Sequence, residues 1–468
     1  MTPHRLTCAL SLLAVLTGCA NYSGITPQAQ PRQDIPYQLE QPSASANPSE
    51  SWWKSFDDAQ LNQLIEQALT QAPSLQLAQA RLRRAQSGVE FADSARYPQA
   101  QAELDTMRQR FSSNSLYPPP FGGSTLESGT AQLSASWELD FFGKNRAALD
   151  AALGNARATQ ADTAAARLLL ETAVANTYFR WQALVAQRQL AERQVVLHQA
   201  MLTLVRQRVR AGLEPQQSKD QAEGTTAESR QQLERLLEQE AFALHALTAV
   251  IGSTQAPQLT PRPLPAATAL AAPSELPLNL LGRRPDVQAA RWRVEAATGN
   301  VAQAKALFYP NVNLTAFAGY SSIGLGQLTE AGSRQWGVGP AVSLPLFEGG
   351  RLKANLRGAT AELDMAVESY NAAVTEALRD TSDQLSTLQS LSRQQTQQAT
   401  ALEAAHHVHA QALQRQKAGL SSPLASLQTE AAMLEQERQS LELQAHRLGT
   451  QTALVRALGG AYTVPAHP

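Results

Sequence analysis

Side chains capable of chemistry are few in this sequence, and their spacing suits none of the common reaction types. Only two cysteines occur in 468 residues, Cys8 and Cys19. Both fall in the first twenty positions, so the body of the chain has no disulfide framework and no thiolate metal site. His406 and His409, in the stretch HHVH, stand one helical turn apart. A metal site needs that spacing plus a third ligand, and no cysteine or carboxylate partner accompanies them in the pattern, so they read as solvated histidines on a coiled-coil face. Gly324-Leu-Gly326 is not followed by a further glycine and a helix, so it is not read as a nucleotide loop. No Ser/His/Asp, Cys/His or paired-carboxylate arrangement stands out. The expectation is a protein without catalytic residues, metal or cofactor, and therefore not an enzyme.

Cys19 is a different matter. Arg5 precedes an apolar run from Leu6 to Leu16, followed by Thr17, Gly18 and Cys19, which reads as an export signal spanning 1–18. The run is too short to span a bilayer in the mature protein. A small pair before a cysteine resembles a bacterial lipobox, and that resemblance implies cleavage before Cys19 and acylation of its thiol and amine. Plain secretion with an accidental cysteine is the alternative. Ala20 rather than Asp follows the cysteine, which resembles outer-membrane sorting. After Leu16 no stretch of 18 apolar residues appears, so any membrane crossing must be made by strands.

The elements that carry these residues follow from charge and periodicity. A net charge of −1 gives no electrostatic case for nucleic acid or an anionic membrane surface. Residues 19–50 are rich in Pro, Gln and Ser and read as a tether. Leu61, Leu64, Ile65, Ala68 and Leu69 make one helical stripe, and a second helix is expected from about Ser74 to Ala95. The period then changes to two. Strands are expected at about 98–111 and 129–142, with Ala100, Ala102 and Leu104, then Leu133, Ala135, Trp137 and Leu139, on one face. Gln101, Glu103, Asp105, Ser134 and Glu138 fall on the other. Strands of about ten residues with one apolar and one polar face match a transmembrane barrel hairpin, although a half-buried soluble hairpin alternates in the same way.

From Arg146 to Arg210 a helical pattern runs unbroken, about 95 Å at 1.5 Å per residue. Val174, Trp181, Val195, Leu202 and Val209 fall on a seven-residue ladder with only Arg188 in the remaining slot, a seam suited to a coiled coil. Gly212 and Pro215 reverse the chain at a tip near 211–216, and a return helix reaches Ile251. A Pro-rich linker spans 256–280, and there the programme restarts. Residues 285–310 repeat 73–98, and Arg208, Gly212 and Leu213 recur 207 positions later as Arg415, Gly419 and Leu420. Structural repeats are thus expected at 51–255 and 281–460. The second holds strands at about 310–321 and 334–347 and a tip near 418–423, and 461–468 forms a tail. The fold class is mainly α with a transmembrane β-barrel: a tandem repeat of helix, β-hairpin and long coiled-coil helical hairpin. Four strands cannot close a barrel, so the edges must pair with other chains.

Stretches 52–69, 137–146 (WELDFFGKNR), 280–320, 342–352 (VSLPLFEGGRL) and the two Ala-Gly-Leu breaks resemble the TolC-like outer-membrane factors, within them the lipoprotein branch serving tripartite efflux pumps of the resistance-nodulation-division type. The resemblance covers almost the whole mature chain. It implies a homotrimer with a twelve-strand barrel and a twelve-helix periplasmic tunnel, exporting small molecules such as drugs or toxic compounds. A periplasmic adaptor, an inner-membrane pump and outer-membrane lipid are the implied partners, with no nucleic acid. It also implies that the turns bearing Gly212, Leu213, Gly419 and Leu420 meet the adaptor. The cations Arg208, Arg210, Arg415 and Lys417 near these tips are candidates for holding the periplasmic mouth narrow, although cations at helix C-termini also complement the macrodipole. Two other readings stand beside this one: the outer-membrane component of a type I protein or peptide secretion system, and a lipidated periplasmic adaptor or scaffold. An adaptor would carry one helical hairpin flanked by lipoyl-like β segments rather than two hairpins each preceded by amphipathic strands.

Overall fold

The computed structural model describes residues 22–32, 51–114, 116–265 and 282–460. The signal sequence, Cys19, part of the tether, residues 266–280 of the linker and the tail at 461–468 lie outside the described residues. A short 3-10 turn at Trp52–Phe56 precedes α1 (Ala59–Gln71) and α2 (Pro73–Ser94). Strands β1 (Gln99–Arg110) and β2 (Thr125–Leu139) lead into α3 (Lys144–Arg210) and α4 (Gln216–Ile251). The second half gives α5 (Pro285–Ala306), β3 (Asn311–Ile323), β4 (Arg334–Ser343), α6 (Arg351–Lys417) and α7 (Pro423–Ala457).

Local chemistry explains most element ends. Asp58 caps α1, accepting hydrogen bonds at Oδ1 from the amides of Gln60 and Leu61. Strand β2 ends at Leu139, short of 142, because Asp140 turns to accept the Arg146 amide of the next helix and Gly143 adopts φ 75°. At its other end β2 extends back to Thr125, beyond the expected start. Strand β4 stops at Ser343 rather than 347, so Leu344 and Leu346 lie beyond the strand. Pro345 supplies no amide to a ladder, and Pro340 within β4 is tolerated because β4 is an edge strand of this sheet. Pro215 occupies the N-cap of α4 rather than its first turn. Ser422 is the N-cap of α7 by position, but its side chain makes no capping bond and Pro423 begins the helix.

The four strands form one antiparallel sheet in the order β1-β2-β3-β4. Each hairpin pairs locally, and the centre of the sheet is the β2–β3 pairing, which joins the two halves of the sequence. Register keeps the faces coherent across all four strands. One row reads Ala102, Leu133, Ala318 and Trp336, and the next Ala100, Ala135, Ala316 and Val338. On the opposite face the rows read Glu103, Gln132, Gly319 and Gln335, then Gln101, Ser134, Phe317 and Gly337.

Two compact units divide the chain, and each draws on both sequence halves. The first gathers residues through Pro31, Arg81–Gln160 and Ala289–Asn371. Its helical core packs Ala297, Val301, Ala304 and Phe308 against Leu356, Leu363 and Val367. The second gathers Arg32–Ala80, Ala161–Gln288 and the residues from Ala372 onward. There the aromatic turn Trp52, Trp53 and Phe56 and the α1 stripe bury against Val174, Tyr178, Phe179, Leu247 and Ile251. Arg188, the odd member of the α3 ladder, bonds Glu240 of α4 at 2.7 Å, so the polar slot in the seam joins the two helices of the hairpin.

Residues 256–265 of the linker have no regular structure but are docked. Gln60 and Thr260 exchange two hydrogen bonds, at 3.0 and 2.8 Å, and Leu264 is buried.

Candidate functional site

The functional features of the described residues are faces, joints and tips. The sheet offers the first. Its apolar face leaves Leu104, Leu133, Trp336, Val338 and Val342 exposed, an arrangement unsuited to water and suited to lipid. Its polar face is knitted by side chains. Gln335 donates to Gln132 at 3.1 Å across the intervening strand, where Gly319 has no side chain to obstruct the pair. Phe317 lies on the same face against Gly337, where a Cβ would come within 2.7 Å of the ring.

Where strands become helices, stretches quoted above for their resemblance converge. The ends of β2 and β4 and the start of β3 surround a cleft of about 320 Å³ lined by Glu138, Phe142, Lys144, Tyr309 and Arg351 among others. Lys144 and Arg351, 207 positions apart, each begin a 67-residue helix. A cation in the first turn opposes the helix dipole. Each is offset by a carboxylate: Glu138 bonds Lys144 at 2.7 Å, and Glu348 pairs with Arg351. Phe142 stacks on Tyr309 with ring centroids 4.9 Å apart.

Residues 22–32, part of the expected tether, are held against the first unit through Gln30. Tyr22 meets Phe308 edge-on at 5.5 Å, Ile25 and Ala29 pack on the α5/α6 core, and Asp364 accepts the amides of Gln28 and Ala29, both at 2.9 Å. The apolar residues that anchor this segment are spaced too sparsely to give a periodic signal.

Sequence reasoning also missed a buried node in the second unit. Arg284, 7 % exposed, donates to Asp286, Asp380 and the carbonyl of Ala457, tying the start of α5 to α6 and the end of α7. A usable signal existed: an arginine just before a helix-opening Pro-Asp pair has the wrong sign for the dipole and therefore needs partners. Asp58 forms a second node. Its Oδ2 accepts the Tyr178 hydroxyl at 2.8 Å, and burial together with that carboxylate holds the hydroxyl far above its ordinary pKa.

Both tips have the same backbone turn. Gly212 and Gly419 adopt φ 71° and 73°, and the amides of Leu213 and Leu420 donate to the carbonyls of Arg208 and Arg415, each at 2.8 Å. Leu213 and Leu420 are 68 % and 71 % exposed. Arg208 bonds Glu214 at 3.2 Å within its own turn, whereas Arg210, Arg415 and Lys417 have no side-chain partner among the described residues. His406 is exposed, His409 contacts Thr429 at 3.2 Å, and His407 lies 3.8 Å from Glu403, a carboxylate neighbour that the reading of HHVH had overlooked. Among the described residues no group of three or more His, Cys, Asp or Glu could hold a metal. No described helix is long and apolar enough to cross a membrane.

A sheet with an apolar and a polar face, continued into 67-residue helices, is the architecture of a membrane duct. The chain belongs to the outer membrane efflux protein family, whose model matches residues 64–253 and 276–460. It is 33 % identical over 467 residues to the multidrug resistance outer membrane protein MdtQ of Escherichia coli O157:H7, covering 96 % of this chain and 97 % of that one. To the multidrug resistance outer membrane protein MdtP of Escherichia coli K12 it is 34 % identical over 429 residues, 90 % of this chain and 88 % of the relative. The crystal structure of the outer membrane protein VceC from Vibrio cholerae superposes with a TM-score of 0.78 at 33 % identity, over 89 % of this chain and all of that one. The protein is thus an outer-membrane efflux channel, the exit duct of an export system, and not an enzyme.

Proposed function

We propose that three copies of the chain assemble into a twelve-strand barrel continued by a twelve-helix periplasmic tunnel, and that this trimer releases drugs or other toxic small molecules to the exterior. The observation that carries the reading is the register of the sheet, which holds one face apolar and the other polar across four strands while leaving β1 and β4 unpaired on their outer edges. Open edges cannot persist in lipid, where every backbone polar group needs a partner, so other copies must supply the missing pairing. The drug-like cargo is inferred from the names of MdtP and MdtQ. Native mass spectrometry in detergent tests the assembly: a trimer is expected, and a stable monomer with intact strand content would refute it.

Cys19 is the proposed lipidation site, giving the outer-membrane protein a lipid anchor as well as its strands. The tips bearing Gly212, Leu213, Gly419 and Leu420 are the proposed docking points for a periplasmic adaptor that joins the duct to an inner-membrane pump. Arg208, Arg210, Arg415 and Lys417 are proposed to line the periplasmic mouth. Exposed leucines on tight turns, presented by glycines in the left-handed region, support the docking assignment. Gly419→Val, which strains the turn, and Leu420→Asp, which places a charge on it, are each expected to impair adaptor cross-linking and efflux while leaving trimer formation intact. Full efflux with normal cross-linking in both variants would remove the tips from the docking surface.

A further inference from the structure

The two tips are copies of one turn, and they differ at one chemically decisive position. Arg208 and Arg415 are 207 residues apart, as are Glu214 and Ser421. In the first tip the arginine is satisfied internally, its Nε 3.2 Å from a carboxylate oxygen of Glu214. In the second the carboxylate is replaced by a serine whose enclosed hydroxyl has no hydrogen-bond partner among the described residues. Arg415 is consequently left exposed and unpaired on the same backbone frame. The surrounding sequence offers no substitute, because residues 404–429 contain neither Asp nor Glu. Lys417, also exposed and unpaired, adds a second positive charge two residues on, and the exposed Leu420 follows on the same turn, its amide bonded to the Arg415 carbonyl.

We propose that Arg415, with Lys417, is a receptor for a carboxylate supplied by the docked protein partner. The occupant is an acidic side chain on the adaptor, taken up in the position that Glu214 occupies on Arg208, with an apolar recess beside it for Leu420. This rests on the reading of the tips as docking points and adds the chemistry of the partner. Two features favour a protein carboxylate. The first tip is an internal template showing that a carboxylate fits an arginine on this turn. The required ligand must also present an acid and an apolar surface side by side, as a folded protein surface does. The tips are therefore unequal: the first is closed on itself and docks through Leu213, and the second docks through charge as well as Leu420.

Binding of the purified full-length protein in detergent tests this, using the periplasmic adaptor with which it restores export in a strain lacking its own outer-membrane channel. Ser421→Glu rebuilds the internal partner of the first tip, and Arg415→Gln removes the receptor. Each is expected to weaken adaptor binding about fivefold, the scale of an exposed charge pair, and to flatten its dependence on salt. The double variant is expected to be no weaker than either single one, because both remove the same interaction. Ser421→Gln, with no charge, is expected to bind like the wild type. Wild-type affinity and salt dependence in Ser421→Glu would overturn the proposal. So would restoration of Arg415→Glu binding by Glu214→Arg in the same chain, since the occupant would then be a neighbouring copy of this protein. Leu420→Asp separates the two levels: lost binding there with normal binding in Ser421→Glu refutes only the carboxylate receptor, whereas normal binding in both refutes the docking reading itself.

Discussion

Gly154 of α3 lies directly against the backbone of Ala296 in α5: a Cβ at position 154 would sit 2.8 Å from the Ala296 nitrogen. The contact is reciprocated one turn away, where a Cβ on Gly299 would sit 2.8 Å from the nitrogen of Ala151. Two helices from opposite halves of the sequence thus touch through small residues. Gly154→Val or Gly299→Val is expected to cost about 1–3 kcal/mol by overpacking, read as a lowered thermal midpoint of the detergent-solubilised protein. Gly224, in the interior of α4 with open space around it, is the contrast. Gly224→Ala is expected to raise stability by up to about 1 kcal/mol through helix propensity alone.

The Arg284 node gives a pH-dependent expectation. Burial alone would raise the Asp286 carboxyl, but its bonds to Arg284, together with backbone amides including that of Val287, outweigh burial and hold it below the ordinary aspartate range. A carboxylate depressed in this way contributes stability above its unfolded pKa, near 4, and that contribution is lost as pH falls through the folded value. Arg284→Met leaves Asp380 and Asp286 without their shared partner and is expected to cost about 1–3 kcal/mol at neutral pH, less than for a fully buried pair because Asp286 is half exposed and Arg456 still lies 3.8 Å from Asp380. Thermal melts at pH 7 and pH 3 check it: the wild type should lose more on acidification than the variant, and equal losses would show that the node does not govern acid stability.

The sheet faces can be told apart by charge insertion. Leu133→Arg or Leu314→Arg, on the apolar face, is expected to cost about 2–4 kcal/mol near the bilayer midplane, whereas Ser134→Arg or Asn313→Arg on the other face should be mild. The fraction of protein assembled in the outer membrane reports the difference. A reversed pattern would mean that the polar face meets lipid.

Acylation is read at Cys19, ahead of the docked segment that begins at Tyr22. Labelled palmitate should enter the wild type and not Cys19→Ser. Because the strands also hold the protein in the membrane, the variant is expected to keep part of its export activity, scored as resistance of a channel-deficient host. Equal labelling of both proteins would remove the anchor.

The sequence by itself determined what depends on neighbours along the chain. Alternation in residues 99–110 and the α3 ladder through Val174 and Trp181 specified strand and coiled coil, because periods of two and of about three and a half are properties of single elements. Gly212 and Gly419 marked the turns because a left-handed residue is a local demand. Tertiary structure alone decided which elements meet. Pairing of Ala135 with Ala316 unites strands from different halves, and the docking of residues 22–30 on α5 and α6 turns an apparent tether into part of a core. The partners of Arg188, Arg284 and Arg208 were equally out of reach. A lone charge in a sequence looks the same whether it is solvated or paired, and only the fold brings Glu240, Asp380 and Glu214 within bonding distance, leaving Arg415 without an equivalent.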